Sequence, residues 1–113
     1  MSKTIAVTGV ASGIGAAMAR ILSQRGHTVI GFDVNPTKQN VHQFIHLDLN
    51  DPSSITNAVK QCPSGLDGLC NNAGLPPRDG LEDSILQVNF IGTRAFTDAM
   101  VPKMLSGRFP GLN

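Results

Sequence analysis

The 113-residue chain has no tyrosine and no tryptophan, and phenylalanine alone supplies its 4% aromatic content. Its two cysteines, Cys62 and Cys70, are too few for a disulfide framework and fit no metal-ligand spacing. A reducing, cytoplasmic setting is therefore expected. Lysine and arginine are never gathered into a run, and the formal net charge is only +1. The usual electrostatic case for nucleic acid or an anionic membrane is thus missing, and neither is an expected partner. No apolar stretch approaches the roughly 20 residues that a membrane-spanning helix needs. The opening "MSKTIAVTG" has one Lys and a short apolar run ending in Gly, which is too short and wrongly flanked for a secretory signal. None of His27, His42 and His46 pairs with a carboxylate at ligand spacing, so no metal is expected.

What is present describes a packed domain. Hydrophobic residues make up 41% of the chain and charged residues 15%, which argues against disorder. The length suits one domain over residues 1–113, burying somewhat over about 60% of its unfolded surface. "TIAVTG" is a compact apolar run bounded by Gly and reads as a buried strand. A helix follows, with Ile14, Met18, Ile21 and Leu22 on one face and Gly26 closing it. "HTVIGFD" is a second strand, and "FIHLDL" a third that ends at Asp48. The polar connection between them is too short for a full helix. Asp51 and Pro52 open a second helix as cap and first-turn residue, with Ile55, Ala58, Val59 and Cys62 as its apolar face. "GLDGLCNNAG" is a fourth strand running into a Gly-rich end, and "LPPRDG" a loop. Residues 81–105 read as one long helix whose apolar residues nearly encircle it, Leu86, Val88, Phe90, Ile91, Phe96 and Met100 among them. Such a helix should be buried on most sides, and one sheet face cannot cover all of it, so a second partner is implied. Strands alternating with helices predict an α/β fold with a parallel sheet and right-handed crossovers.

The chemistry begins where the first strand turns into the first helix. Gly9, Gly13 and Gly15 in "TGVASGIG" follow G-x-x-x-G-x-G. Glycines serve there for a tight turn, for close approach of a pyrophosphate and for close helix–strand contact. The N–H groups of the first helical turn then face the phosphates, and the helix dipole adds attraction. Asp33 ends the second strand, and 33 − 13 = 20 residues separate it from the middle glycine. An acid at that distance accepts from the adenosine ribose hydroxyls and repels a 2′-phosphate. NAD(H) is therefore expected over NADP(H). Ser12, rather than a cation, before Gly13 and Val34 after Asp33 agree with this. The plainer reading of Asp33 is a strand-end cap.

These residues resemble the short-chain dehydrogenase/reductase family, over about residues 3–105. "TGVASGIG" is similar to the family's T-G-x-x-x-G-x-G loop, and "HLDLND" to its Asp-hydrophobic pair beside the adenine, here Asp48 and Leu49. "NNAG" at residues 71–74 matches the motif at the end of its fourth strand. "QVNFIGT" resembles the segment carrying its helix asparagine, here Asn89. The finer pattern looks like the branch of hydroxysteroid dehydrogenase/carbonyl reductase and coniferyl-alcohol dehydrogenase: the second and third strands are joined without a full helix, and only 89 − 74 = 15 residues separate Gly74 from Asn89. The resemblance implies a Rossmann-type doubly wound parallel sheet and oxidation or reduction of a small alcohol or ketone with NAD. It implies a cofactor site of Gly9, Ser12, Gly13, Ile14, Gly15, Asp33, Asp48, Leu49, Asn72, Ala73 and Gly74. Asn89 would hold a water linked to a catalytic Lys. Turn chemistry is the plainer account of Asn71 and Asn72, and a satisfied buried amide that of Asn89.

The family's chemistry uses a Ser together with Y-x-x-x-K, and a chain with no tyrosine cannot contain the latter. "SGRFPGLN" begins like the approach to a fifth strand at Gly107 and Arg108, then departs, since Pro110 and Gly111 suit a central strand poorly. The expectation is a sheet truncated after the fourth strand and its following helix, an N-terminal fragment inactive alone. Its fourth strand would be an unpaired edge, and helix 82–105 would be exposed enough to make a homo-oligomer. The competing reading is a non-catalytic nucleotide-binding or dimerisation module.

Overall fold

A computed structural model describes residues 2–75 and 80–104. Four strands, β1 (Thr4–Thr8), β2 (Thr28–Asp33), β3 (Gln43–His46) and β4 (Gly68–Cys70), form one all-parallel sheet in the order β3-β2-β1-β4. Thr4 pairs with Thr28, Ile5 with Gly68, and Phe32 with Ile45. The central strand explains itself from sequence. Successive residues Ala6 and Val7 point to opposite faces and are both fully buried, so both faces must be covered.

Two helical layers provide that cover. Helix α1 (Gly13–Gln24) packs on one face with Val7, Val10, Ala19 and Val29. Helix α2 (Pro52–Gln61) and the long helical segment pack on the other, around Ala6, Phe32, Ile45, Leu47, Ile55, Phe96 and Met100. Phe32 and Phe96 meet edge to face with ring centroids 5.2 Å apart. Helix α1 stops in a Schellman arrangement, with Gly26 at φ 84°, its N–H on the Ser23 carbonyl and the His27 N–H on that of Leu22. Helix α2 starts as its sequence predicts: the Asp51 carboxylate accepts from the Ser53 N–H at 2.9 Å, with Pro52 in the first turn.

Three expectations need correction. The buried face of α1 is Gly15 and Ala19, with Leu22 half-buried, whereas Ile14 is 74% exposed and Ile21 also lies outward. The helix sits so close to the sheet that only small side chains fit beneath its first turns. The third strand ends at His46, although the Leu47 N–H still bonds the Asp33 carbonyl at 3.0 Å. The long helix is not one regular α-helix. It runs as α3 (Glu82–Leu86), a π-helical stretch (Gln87–Gly92), α4 (Thr93–Met100) and a 3₁₀ turn (Val101–Lys103). Nor is it buried on most sides: Gly92, Phe96 and Met100 face the core, while Leu86, Phe90, Ile91 and Val101 are exposed, Phe90 by 69%.

The expected turns within "LPPRDG" at 76–79, the last helical residue Leu105 and the departure from a fifth strand lie outside the described residues. One feature next to them is visible. Met104 makes an isolated parallel bridge to Leu66, and the Gly65 and Leu66 N–H groups share the Lys103 carbonyl at 2.8 and 2.9 Å. Among the described residues, no helix is long and apolar enough to cross a membrane.

Candidate cofactor-binding site

The strand order reverses at β1: β2 and β3 lie to one side and β4 to the other. Ligands of open α/β sheets sit outside the carboxyl ends of the strands at such a switch point. Here that place is a cleft of about 460 Å³. Every residue expected to touch a cofactor lines it, from Gly9, Ser12, Gly13, Ile14 and Gly15 through Asp33, Asp48 and Leu49 to Asn72, Ala73 and Gly74.

The three glycines divide the labour of the loop. Gly9 has φ 67°, and a Cβ on it would stand 2.9 Å from the Ala73 nitrogen, so the turn passes directly against the end of β4. A Cβ on Gly15 would collide with the Gly9 carbonyl, which is what brings α1 so close to the sheet. Gly13 has φ 58° and open space where its side chain would be. Gly13 itself is part of the cleft lining at the start of α1. Ser12 caps the helix by backbone geometry alone, without a side-chain hydrogen bond, and no acidic residue stands in the first turn. The N–H groups and the positive end of the helix dipole are left for an anion.

The opposite wall comes from β4. Buried Thr8, at the end of β1, accepts with one hydroxyl oxygen from the Asn72 N–H at 2.9 Å and the Ala73 N–H at 3.0 Å. This clamp holds "NNAG" against the phosphate loop. Asn72 also donates its amide to the Met18 sulfur at 3.2 Å, and Asn71 donates to the Thr97 hydroxyl at 2.9 Å, joining β4 to α4. Asp33 spends one lone pair of each carboxylate oxygen on backbone, Oδ2 on the Ala11 N–H and Oδ1 on the Asn35 N–H, both at 2.9 Å. The strand-end-cap reading of Asp33 is therefore present in the geometry, and each oxygen keeps capacity for a further donor. Asp48 is held from both sides, its N–H on the Ser54 hydroxyl at 2.8 Å and its carboxylate on the Asn50 N–H at 2.9 Å. Leu49 is buried, belongs to the core and forms cleft wall at once.

Asn89 lies in the π-helical stretch, and its side chain is not part of the cleft lining. Its amide grips the backbone of Leu75 by both ends: Oδ1 accepts the Leu75 N–H at 2.7 Å, and Nδ2 donates to the Leu75 carbonyl at 3.1 Å. It is exposed rather than buried, and a Cβ on Gly74 would stand 3.1 Å from its oxygen. The same stretch brings Gly92 against the Leu49 carbonyl, where a Cβ would collide. The Thr93 hydroxyl caps the Val88 carbonyl at 2.8 Å.

Sequence reasoning missed Thr8 as the clamp, and missed Phe32, Asn35, Leu47, Leu75 and Val88 as cleft wall. Thr8 had a signal, its place directly before Gly9, but nothing in a sequence marks a threonine as a double acceptor. The histidines stay outside the cleft, with the His27 and His42 rings accepting from the Lys3 and Val29 N–H groups.

Comparison with known proteins gives the same picture. The family described as short chain dehydrogenase matches residues 3–111. The coniferyl-alcohol dehydrogenase of Pseudomonas sp. (strain HR199) is 42% identical over 108 residues, which is 94% of this chain and 41% of that protein. The 3-alpha-hydroxysteroid dehydrogenase/carbonyl reductase of Comamonas testosteroni is 30% identical over 106 residues, again 94% of this chain but 40% of its own length. Among solved structures, the 3-alpha-hydroxysteroid dehydrogenase from Pseudomonas sp. B-0831 complexed with NADH superposes with a TM-score of 0.72 at 35% identity, over 88% of this chain and 41% of that one. This chain spans about two fifths of the length of the curated relatives it matches.

Proposed function

The chain belongs to the short-chain dehydrogenase family, and from that premise we propose that it is the cofactor-binding part of an NAD(H)-dependent oxidoreductase acting on a small alcohol or ketone. The observation that carries this is the cleft at the switch point, lined by Gly13, by the start of α1 with no side-chain cap, and by Asp33. The residues fit the group. Gly9 and Gly15 have no room for a Cβ because backbone fills it, while Gly13 lines the cleft and would meet no protein atom with a Cβ. The first-turn N–H groups of α1 would hold the phosphates, and Asp33 the adenosine ribose hydroxyls. Asp48 and Leu49 would flank the adenine, and Asn72 to Gly74 the nicotinamide side. The bound cofactor supplies a hydride acceptor or donor. Asn89, by holding Leu75, would shape the nicotinamide end and place a water for proton transfer.

The proton-transferring tyrosine is not among these 113 residues. By this reading the chain binds NAD(H) as one partial dinucleotide-binding domain and does not turn over alcohol alone. We place it in the cytoplasm, with no role for nucleic acid or membrane. Self-association would run through the helical segment from Glu82 to Lys103, whose Leu86, Phe90 and Ile91 are exposed. Those apolar residues also favour the second reading, a nucleotide-binding or dimerisation module without catalysis of its own.

Calorimetric titration of the 113-residue chain tests the first reading. NADH should bind more tightly than NADPH, and Asp33→Arg should reverse the order. Equal affinity for both would sink the ribose assignment, and robust alcohol-dependent NAD reduction lost in Asn89→Ala would overturn the claim of inactivity.

A further inference from the structure

The phosphate loop is attached to β2 at two successive residues, Val10 and Ala11. Val10 is buried, and its N–H reaches the Phe32 carbonyl at 3.3 Å. Its side chain occupies the room left by Gly31, where a Cβ would stand 2.8 Å from it. The next N–H, that of Ala11, goes to the Asp33 carboxylate at 2.9 Å. The other carboxylate oxygen is steadied by the Asn35 N–H, also at 2.9 Å. The β1–β2 ladder, which pairs Thr8 with Phe32 at its end, is thus continued beyond β1 by one backbone bond and one side-chain bond.

We propose that Asp33 is a positioning residue for the phosphate-binding loop as well as the reader of the ribose. Its carboxylate holds Ala11, and through it the turn that presents Gly13, in place before any nucleotide arrives. The proposal rests on the reading of the cleft as an NAD(H) site. It has a consequence that hydroxyl recognition alone lacks. A side chain that only reads the ribose would matter only to ligands with ribose hydroxyls, whereas one that also sets the loop matters to any ligand whose pyrophosphate lies on it. An exchange of Asp33 for a cation would therefore change cofactor preference while loosening the grip on both cofactors, because no acceptor would remain for the Ala11 N–H.

The test uses the whole chain, Asp33→Ala, and two probes, ADP and 2′,3′-dideoxy-ADP. The second carries the pyrophosphate but no ribose hydroxyls. Asp33→Ala is expected to weaken dideoxy-ADP as well as ADP, by on the order of tenfold for the lost charge-assisted bond and the loosened loop. Unchanged dideoxy-ADP affinity, with ADP alone weakened, would overturn the proposal. Amide exchange without nucleotide provides a second measurement. In the unaltered chain the Ala11 N–H should be protected, and in Asp33→Ala its exchange should accelerate while that of Ile30, in the middle of β2, does not. Exchange of Ala11 at a free-peptide rate in the unaltered chain, or equal acceleration of Ala11 and Ile30, would refute it. Failure of ADP to bind the unaltered chain would instead remove the cofactor reading, and the exchange result would still decide whether Asp33 holds the loop.

Discussion

Thr8→Val is the most discriminating single perturbation of this site. The substitution keeps shape and volume and replaces a hydroxyl by a methyl at a residue only 1% exposed. Transfer alone favours valine, because a buried methyl gains roughly 1 kcal/mol over an exposed one. Against this stand two N–H groups, of Asn72 and Ala73, which share the Thr8 oxygen at 2.9 and 3.0 Å and would lose their acceptor. A buried donor left without a partner costs about 1–3 kcal/mol. Both amides are half-buried at the edge of an open cleft, so water can recover part of that, and the lower end applies to each. The net expectation is a loss of about 1–2 kcal/mol, which for a chain of this size lowers the melting temperature by roughly 5–10 °C. Thr8→Ser supplies the control. It keeps the acceptor and gives up one methyl, a loss of about 1 kcal/mol at most. Urea and thermal unfolding of the three chains should rank them Thr, Ser, Val, and NADH affinity should fall furthest in the valine variant because "NNAG" is no longer clamped to the loop. A valine variant as stable as the parent, or more stable than the serine one, would show that the clamp contributes nothing and refute the reasoning.

The glycines predict a dissociation of stability from binding: Gly15→Ala should destabilise by about 3 kcal/mol or more, since its Cβ meets the Gly9 carbonyl, and unfolding curves will show it. Gly13→Ala meets no atom and carries only the left-handed backbone penalty of about 1–2 kcal/mol, yet on the cofactor reading, in which a pyrophosphate lies against the Gly13 backbone, it should weaken nucleotide binding by calorimetry far more than it weakens the fold. Phe96→Ala empties a fully buried site against Phe32 and should cost about 3–5 kcal/mol in urea unfolding. Burial pushes the Cys62 thiol above its ordinary range, outweighing the opposite pull of Lys103. The folded chain then holds a proton that the unfolded chain releases, so stability present below about pH 8.5 is lost as pH rises further. Unfolding midpoints between pH 7 and 10 should fall more in the parent than in Cys62→Ala, and parallel declines would contradict this.

Strand and helix order, the caps and the phosphate loop were legible because each depends on neighbours in the chain. Gly26 needed only its own φ 84° to close α1, and Asp51 only the Ser53 N–H two residues on. Asp33 and the three glycines could be placed by spacing, since a strand, a turn and a helix of fixed rise set their separation.

The misread positions were those decided by what lies across the molecule. The apolar residues of α1 have the period of a helix face, but Gly15 against the Gly9 carbonyl rotates that face toward Ala19 and turns Ile14 outward. The contact that Asn89 makes was equally hidden in the sequence: both ends of its amide hold Leu75, fourteen residues earlier. The π stretch follows no local propensity, and within it Gly92 meets the Leu49 carbonyl, from a loop far away in sequence. Thr8 becomes a clamp only when β4 is laid beside β1, bringing residues 64 and 65 positions later onto its hydroxyl. Local sequence thus determined which elements form and which residues could bind a phosphate and a ribose. Close packing between distant backbones decided which side chains face the core, which face the cleft, and which hold the two together.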